Sequence, residues 1–191
     1  LKENHRLIMP EKTGILKVFW FRKDLRIFDN RALSHFINDI NPGDKYLFIY
    51  IKNKDSFQFY GEMRLAFLKK SLEELSSALK EKNLSFLVLQ GNIVEVFRML
   101  LHKYRQISVY ANKQIEPYSI SRDKKVSELL NESASEQNLY SDTMLFDPNE
   151  VVKDDGNPYS VFTPFSKKCY SLLNGNHYAD SGILINKLNP D

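Results

Sequence analysis

A chain of 191 residues with 42% hydrophobic side chains is long enough for one domain with a real core and too short for a two-domain enzyme. Its 27 basic and 24 acidic residues leave a net charge of +3, so this segment carries no strong electrostatic footprint for nucleic acid. The single cysteine, Cys169, excludes an internal disulfide and a cysteine-based zinc cluster and favours a reducing, cytoplasmic setting, while no apolar run approaches the roughly 20 residues of a membrane helix.

The polar start Leu1-Lys2-Glu3-Asn4-His5-Arg6 lacks the apolar core of a secretion signal, and residues 1–14 read as a flexible extension without periodicity. The segment from Leu16 to Asn30 organises the rest. Leu16 to Phe21 is a β-branched and aromatic run too brief for a buried helix, and it passes directly into the charged turn Arg22 to Arg26. Asp29 and Asn30 offer short side-chain oxygens to the free amides of a first helical turn, after which Leu33, Phe36, Ile37 and Ile40 recur at helical spacing.

Asn41-Pro42-Gly43-Asp44 is a dense turn signal, and Tyr46 to Ile51 follows as a near-continuous apolar strand of the kind buried on both faces. A polar connection with aromatic residues ends at Gly61. Leu65, Leu68, Leu72, Leu75 and Leu79 then mark the core-facing stripe of a long helix. Phe86 to Leu89 predicts a third strand. Asn92 and Glu95 have the spacing of a helix-start box ahead of Ile93, Val96, Phe97, Leu100, Leu101 and Tyr104. Ile107 to Ala111 predicts a fourth strand with Asn112 to Tyr118 as its exit loop. Ser119 or Ser121 can cap the helix that carries Val126, Leu129 and Leu130, and Thr143-Met144-Leu145-Phe146 predicts a fifth strand. The two prolines within Gly156 to Phe165 forbid a regular helix or central strand, so a rigid extended peptide burying Tyr159, Phe162 and Phe165 is expected. Ser166-Lys167-Lys168 can start a short helix, the folded domain is expected over residues 15–170, and residues 171–191 look like linker.

Strands alternating with helices of this length predict an α/β fold: a doubly wound, Rossmann-like sheet of five parallel strands in the order 3-2-1-4-5, with helices on both faces. The crevice of such a sheet opens between the carboxyl ends of the first and fourth strands. That brings Arg22 and its neighbours close to Asn112, Gln114 and Glu116. No Gly-rich phosphate loop follows the first strand, and no Walker lysine pattern occurs. A backbone without glycines cannot approach a pyrophosphate closely. A flat aromatic ligand held edge-on by Arg22, Gln114 or Glu116, covered by Phe21, Tyr50 or Tyr118 and with Ile51 alongside, fits better. Arg22 is balanced between contacting that ligand and bracing the loop, whereas Asp24 and Arg26 read as an ion-pair network. His5, His35, His102 and His177 are dispersed without metal-ligand spacing, and neither a catalytic nucleophile nor a metal site is expected.

Phe19-Trp20-Phe21-Arg22-Lys23-Asp24-Leu25-Arg26, followed by Asp29-Asn30, resembles the amino-terminal signature of the DNA photolyase and cryptochrome family. Asn112-Lys113-Gln114-Ile115-Glu116-Pro117-Tyr118 with Arg122-Asp123, and the segment Gly156 to Phe165, resemble two further stretches of it, so the likeness runs from Leu16 to Phe165. The resemblance implies an α/β domain that binds an antenna pigment, followed in the full-length protein by a helical domain that holds FAD and damaged DNA. It further implies light absorption by the antenna, energy transfer to reduced FAD and electron transfer to a flipped-out pyrimidine dimer. On that reading this chain is an isolated amino-terminal domain, inactive in repair by itself, and Glu116 accepts hydrogen bonds from ring N–H groups of the pigment or else caps a helix or pairs with Arg22. Folate-using members carry Asn-Glu where this chain has Tyr118-Ser119, and deazaflavin-using members carry an acid where Gln114 stands. The pigment therefore stays open between deazaflavin, folate and flavin. Two other readings are the same domain of a cryptochrome, and a free-standing nucleotide-binding or interaction module without photochemistry.

Overall fold

The computed structural model describes residues 13–53, 57, 60–173 and 188. The expected extension over 1–14 therefore lies outside the described residues except for Thr13 and Gly14, which belong to the first strand. The expected linker lies outside them except for 171–173 and Leu188. The elements are β1 (Thr13–Phe21), α1 (Arg31–Asp39), β2 (Lys45–Lys52), α2 (Glu62–Lys80), β3 (Phe86–Gln90), α3 (Ile93–Lys103), β4 (Tyr104–Asn112), α4 (Pro117–Asn131), β5 (Glu136–Tyr140) and α5 (Phe162–Leu172).

The five strands form one parallel sheet in the order β3-β2-β1-β4-β5, the order expected from the alternation of strand and helix. Trp20 of β1 lies beside Ile49 of β2, and Val18 lies between Leu47 and Val109. Because β1 is central, its alternate side chains feed two cores. Leu16, Val18 and Trp20 pack with Phe97, Leu100 and Val126 under α3 and α4. Phe19 and Phe21 pack with Phe36, Phe48 and Leu79 under α1 and α2. Phe19 sits 4.6 Å from Phe21 and 5.5 Å from Phe36 between ring centres, so the second core is largely aromatic.

Two helices start at asparagines that cap them. Asn30 accepts from the Leu33 amide, and Asn92 accepts from Val94 and Glu95. At α4 the structure corrects the sequence reading. The helix begins at Pro117, whose missing N–H costs nothing in a first turn, so neither Ser119 nor Ser121 caps it. The fifth strand is a second correction, since β5 is the polar segment Glu136–Tyr140 and Thr143 to Phe146 lies beyond the sheet. An edge strand is hydrogen-bonded on one side only and half-buried here, so it needs no apolar run. A third correction falls on 156–165. Pro164 is the third residue of α5, where an amide has no intrahelical partner, and the helix forms despite it. Phe162 is 77% exposed rather than buried. The leucine stripe of α2 is buried at Leu75 and Leu79 but only partly so at Leu65, Leu68 and Leu72. Among the described residues no helix is long and apolar enough to cross a membrane.

Candidate functional site

The exits of β1 and β4 meet at the carboxyl edge of the sheet, and two clusters are built there. On the α1 side the node is Asn112, the last residue of β4. Its amide nitrogen donates to Asp24 Oδ2 and, at 2.8 Å, to Asn30 Oδ1, while its Oδ1 accepts from the Ala32 amide at 2.9 Å. Burial raises the Asp24 carboxyl above its ordinary range, and the hydrogen bond from Asn112 works against that rise. Arg26 donates to Asp142 Oδ2 at 2.7 Å and to the Asp29 carbonyl, which ties the loop after β5 to the loop after β1. These contacts fix the start of α1.

Beside it the same edge opens into a cavity of about 240 Å3. Phe21, Arg22, Tyr50, Ile51, Gln114, Glu116 and Tyr118, the seven residues expected around a ligand, all line it. Their roles differ from a simple ring of ligand contacts. Arg22 is 6% exposed, and its Nη1 donates to both carboxylate oxygens of Asp123 at 2.8 Å while Nη2 donates to the Asn112 carbonyl. Burial lowers the pKa of this guanidinium, and Asp123 opposes the shift. Glu116 pairs with Lys23, not with Arg22, and makes no side-chain cap to α4, so both of its alternative structural roles are replaced by this ion pair. The bond from Lys23 lowers the Glu116 carboxyl. Burial pushes the Tyr50 phenol up to about 12, and Tyr118 shares a 2.7 Å hydrogen bond with Asn53.

Several wall residues escaped the sequence reading. Trp20, central in β1, has the Arg22 guanidinium 5.1 Å and the Arg122 guanidinium 5.0 Å from its ring centre. Asp123 bridges those two cations, accepting from Arg122 Nε at 2.8 Å. Arg64 lies 3.8 Å over the Tyr60 ring at the mouth. Arg122-Asp123 belongs to one of the stretches that resemble the family, but no local signal pairs Asp123 with Arg22, since the two are 101 positions apart. Phe57 and Tyr60 supply further aromatic wall. A flat ring fits such walls, and the cationic floor suits an electron-rich edge. A larger groove of about 870 Å3 runs between α2 and β3, with Leu65, Leu68, Leu72 and Val88 in its wall alongside Lys52, Lys69, Glu73, Ser76, Ser77 and Lys80. Of the histidines, His35 stacks on Tyr140 at 4.0 Å, and His5 and His177 lie outside the described residues.

A sequence model of the DNA photolyase family matches residues 17–180. The chain is 30% identical over 156 residues to a deoxyribodipyrimidine photo-lyase of Synechococcus sp., covering 78% of this chain and 31% of that protein. It is also 30% identical over 167 residues to Cryptochrome-2 of Arabidopsis thaliana, covering 86% of this chain and 26% of the relative. Among solved structures, an archaeal photolyase from Sulfolobus tokodaii, described with two FAD molecules and a novel light-harvesting cofactor, superposes with a TM-score of 0.71 at 25% identity. That match covers 83% of this chain and 35% of the other. The chain thus spans about a third of the length of these relatives.

Proposed function

The chain belongs to the DNA photolyase and cryptochrome family as an amino-terminal α/β domain, and from that premise we propose that it is the antenna-pigment domain of a deoxyribodipyrimidine photolyase. The observation that carries this is the convergence of the seven expected residues on one aromatic cavity at the β1–β4 edge. A pigment held there, a flavin, deazaflavin or folate, would supply light absorption and energy for FAD. The chain's own residues bind and orient its ring. Phe21, Tyr50 and Tyr118 cover the faces, Gln114 and the Lys23–Glu116 pair meet polar edges, and the Arg22–Asp123 pair holds the two strand exits at fixed separation. The cavity is smaller than the roughly 300–1,000 Å3 of pockets that bury a drug-sized ligand, so it takes a ring system and leaves any phosphate or tail at the mouth near Arg64.

FAD and the damaged DNA are assigned to a carboxy-terminal domain of the parent protein, with residues 15–170 as the antenna domain and 171–191 as the start of a linker. Exposed Val161, Phe162 and Tyr170 offer that domain an apolar surface. By itself this chain repairs nothing, and the parent works in the cytoplasm. Similarity to Cryptochrome-2 supports a second reading, the same domain in a blue-light receptor. One experiment separates them: the parent protein, expressed from the full reading frame, is assayed for loss of cyclobutane dimers from irradiated DNA with and without blue light. Light-dependent loss is expected. Bound, photoreducible flavin without any loss would refute the repair reading in favour of the receptor.

A further inference from the structure

The two edges of the sheet differ in kind. β5 closes one side with the polar run Glu136-Gln137-Asn138, whereas β3 closes the other with Phe86-Leu87-Val88-Leu89, in which Leu87 is 44% and Val88 48% exposed. β3 pairs with β2 on its inner side and with no strand on its outer side among the described residues. It carries neither charge nor proline, the usual guards of a free edge. Val88 also stands in the wall of the 870 Å3 groove under α2, beside Leu65, Leu68 and Leu72. An unguarded apolar edge next to an open apolar groove is a surface that pairs with another chain. The flank of α2 along this groove identifies the partner. At 3.6 residues per turn, Glu62, Ala66, Lys69, Glu73, Ser76 and Lys80 fall on one stripe, and all but Glu62 line the groove. The stripe is symmetric about Ser71, the middle of the helix. Turned end for end against itself, it sets Glu62 against Lys80, Ala66 against Ser76 and Lys69 against Glu73. Opposite charges thus meet at both ends and at the centre, with small residues between. Within one copy Lys69 and Glu73 stand 3.7 Å apart with side chains 78% and 64% exposed, a pair worth little by itself. Self-complementarity of one patch is what a two-fold interface requires.

We propose that a second copy of this chain covers this edge. β3 pairs antiparallel with the partner's β3 about Val88, and the two α2 helices lie side by side and antiparallel, so that two five-stranded sheets become one continuous sheet. One two-fold axis serves both contacts, because Val88 and Ser71 are the middle residues of β3 and α2, and Val88 and the α2 stripe border the same groove. The inference stands apart from the antenna reading, since none of the α2 stripe lines the cavity at the β1–β4 edge.

Analytical ultracentrifugation of the purified chain at about 100 μM is expected to give twice the chain mass, since interfaces of standard size bind with micromolar affinity or better. Val88→Lys places a charge on the free strand edge and is expected to give the monomer mass with an unchanged circular dichroism spectrum. Two charge variants test the axis. Lys69→Glu with Lys80→Glu makes the stripe wholly acidic, and Glu62→Lys with Glu73→Lys makes it wholly basic. Each alone is expected to be monomeric, and their equimolar mixture is expected to recover the dimer mass. All four positions are exposed, so this pair of variants decides the matter if Val88→Lys does not fold. A monomeric wild type would overturn the proposal, as would a dimer that survives these substitutions or a mixture that stays monomeric. A dimeric chain whose parent protein, expressed from the full reading frame, is a monomer would assign this edge to the rest of the parent and overturn the proposal as well.

Discussion

Replacing Asn112 by alanine tests whether the β1–β4 edge is held by buried hydrogen bonds rather than by packing alone. Three bonds are lost: to the Asp24 carboxylate, to Asn30 and from the Ala32 amide. The bond to a charged group is worth about 1.5–3 kcal/mol, and an amide left buried without a partner costs about 1–3 kcal/mol. A loss of about 3–5 kcal/mol at pH 7 follows, a large share of the 5–15 kcal/mol that typically holds a domain together. The loss must also depend on pH. Burial has already raised the Asp24 carboxyl from its ordinary value near 3.8, and Asn112 opposes that rise, so its removal lifts the carboxyl further. A group raised on folding stabilises most below its unfolded value and loses that contribution as pH climbs through its folded value. The variant should therefore lose less stability near pH 4 than at pH 7. Urea unfolding followed by the fluorescence of Trp20, the single tryptophan, measures both. A loss below about 1 kcal/mol, or the same loss at both pH values, would refute the reasoning.

In the aromatic core, Phe19→Ala removes a fully buried ring and should cost about 3–5 kcal/mol in the same unfolding assay. The Lys23–Glu116 pair is about half exposed on both sides, so Glu116→Gln should cost at most about 1 kcal/mol at low salt and less at high salt. Because Lys23 lowers the Glu116 carboxyl, that small contribution is present above its ordinary value of 4.5 and disappears as pH falls through the lowered one, which a pH series of melting temperatures will show. Ultraviolet titration should find a phenol ionising near pH 12 that is absent from Tyr50→Phe.

The strand order was legible because each inner strand is an apolar run and the helices after β1 and β3 open on residues that cap them, Asn30 and Asn92. β5 was not legible, because Glu136, Gln137 and Asn138 sit on a half-buried edge where hydrogen bonding to β4 substitutes for hydrophobic signal. Pro164 misled for a related reason: a residue type that ends helices is harmless in a first turn, and only the position of the turn decides which applies. At the candidate site the strand order alone brings the expected residues to one cavity, but it does not say which side chain answers which. Arg22 illustrates the gap. Its place at the end of the central strand leaves it balanced between ligand contact and brace, and in the structure Nη1 is committed to Asp123 and Nη2 to Asn112, both about a hundred positions away. Removing Arg22 would take one of two cations from buried Asp123 and the donor from the Asn112 carbonyl, so an Arg22→Ala variant reports first on the fold. Gln114 differs, since its oxygen accepts from Ser119 and Arg122 and its amide nitrogen has no partner among the described residues. The long-range ion pairs thus set which polar atoms face the cavity, and a side chain's remaining hydrogen-bonding capacity, not its position alone, separates a brace from a contact.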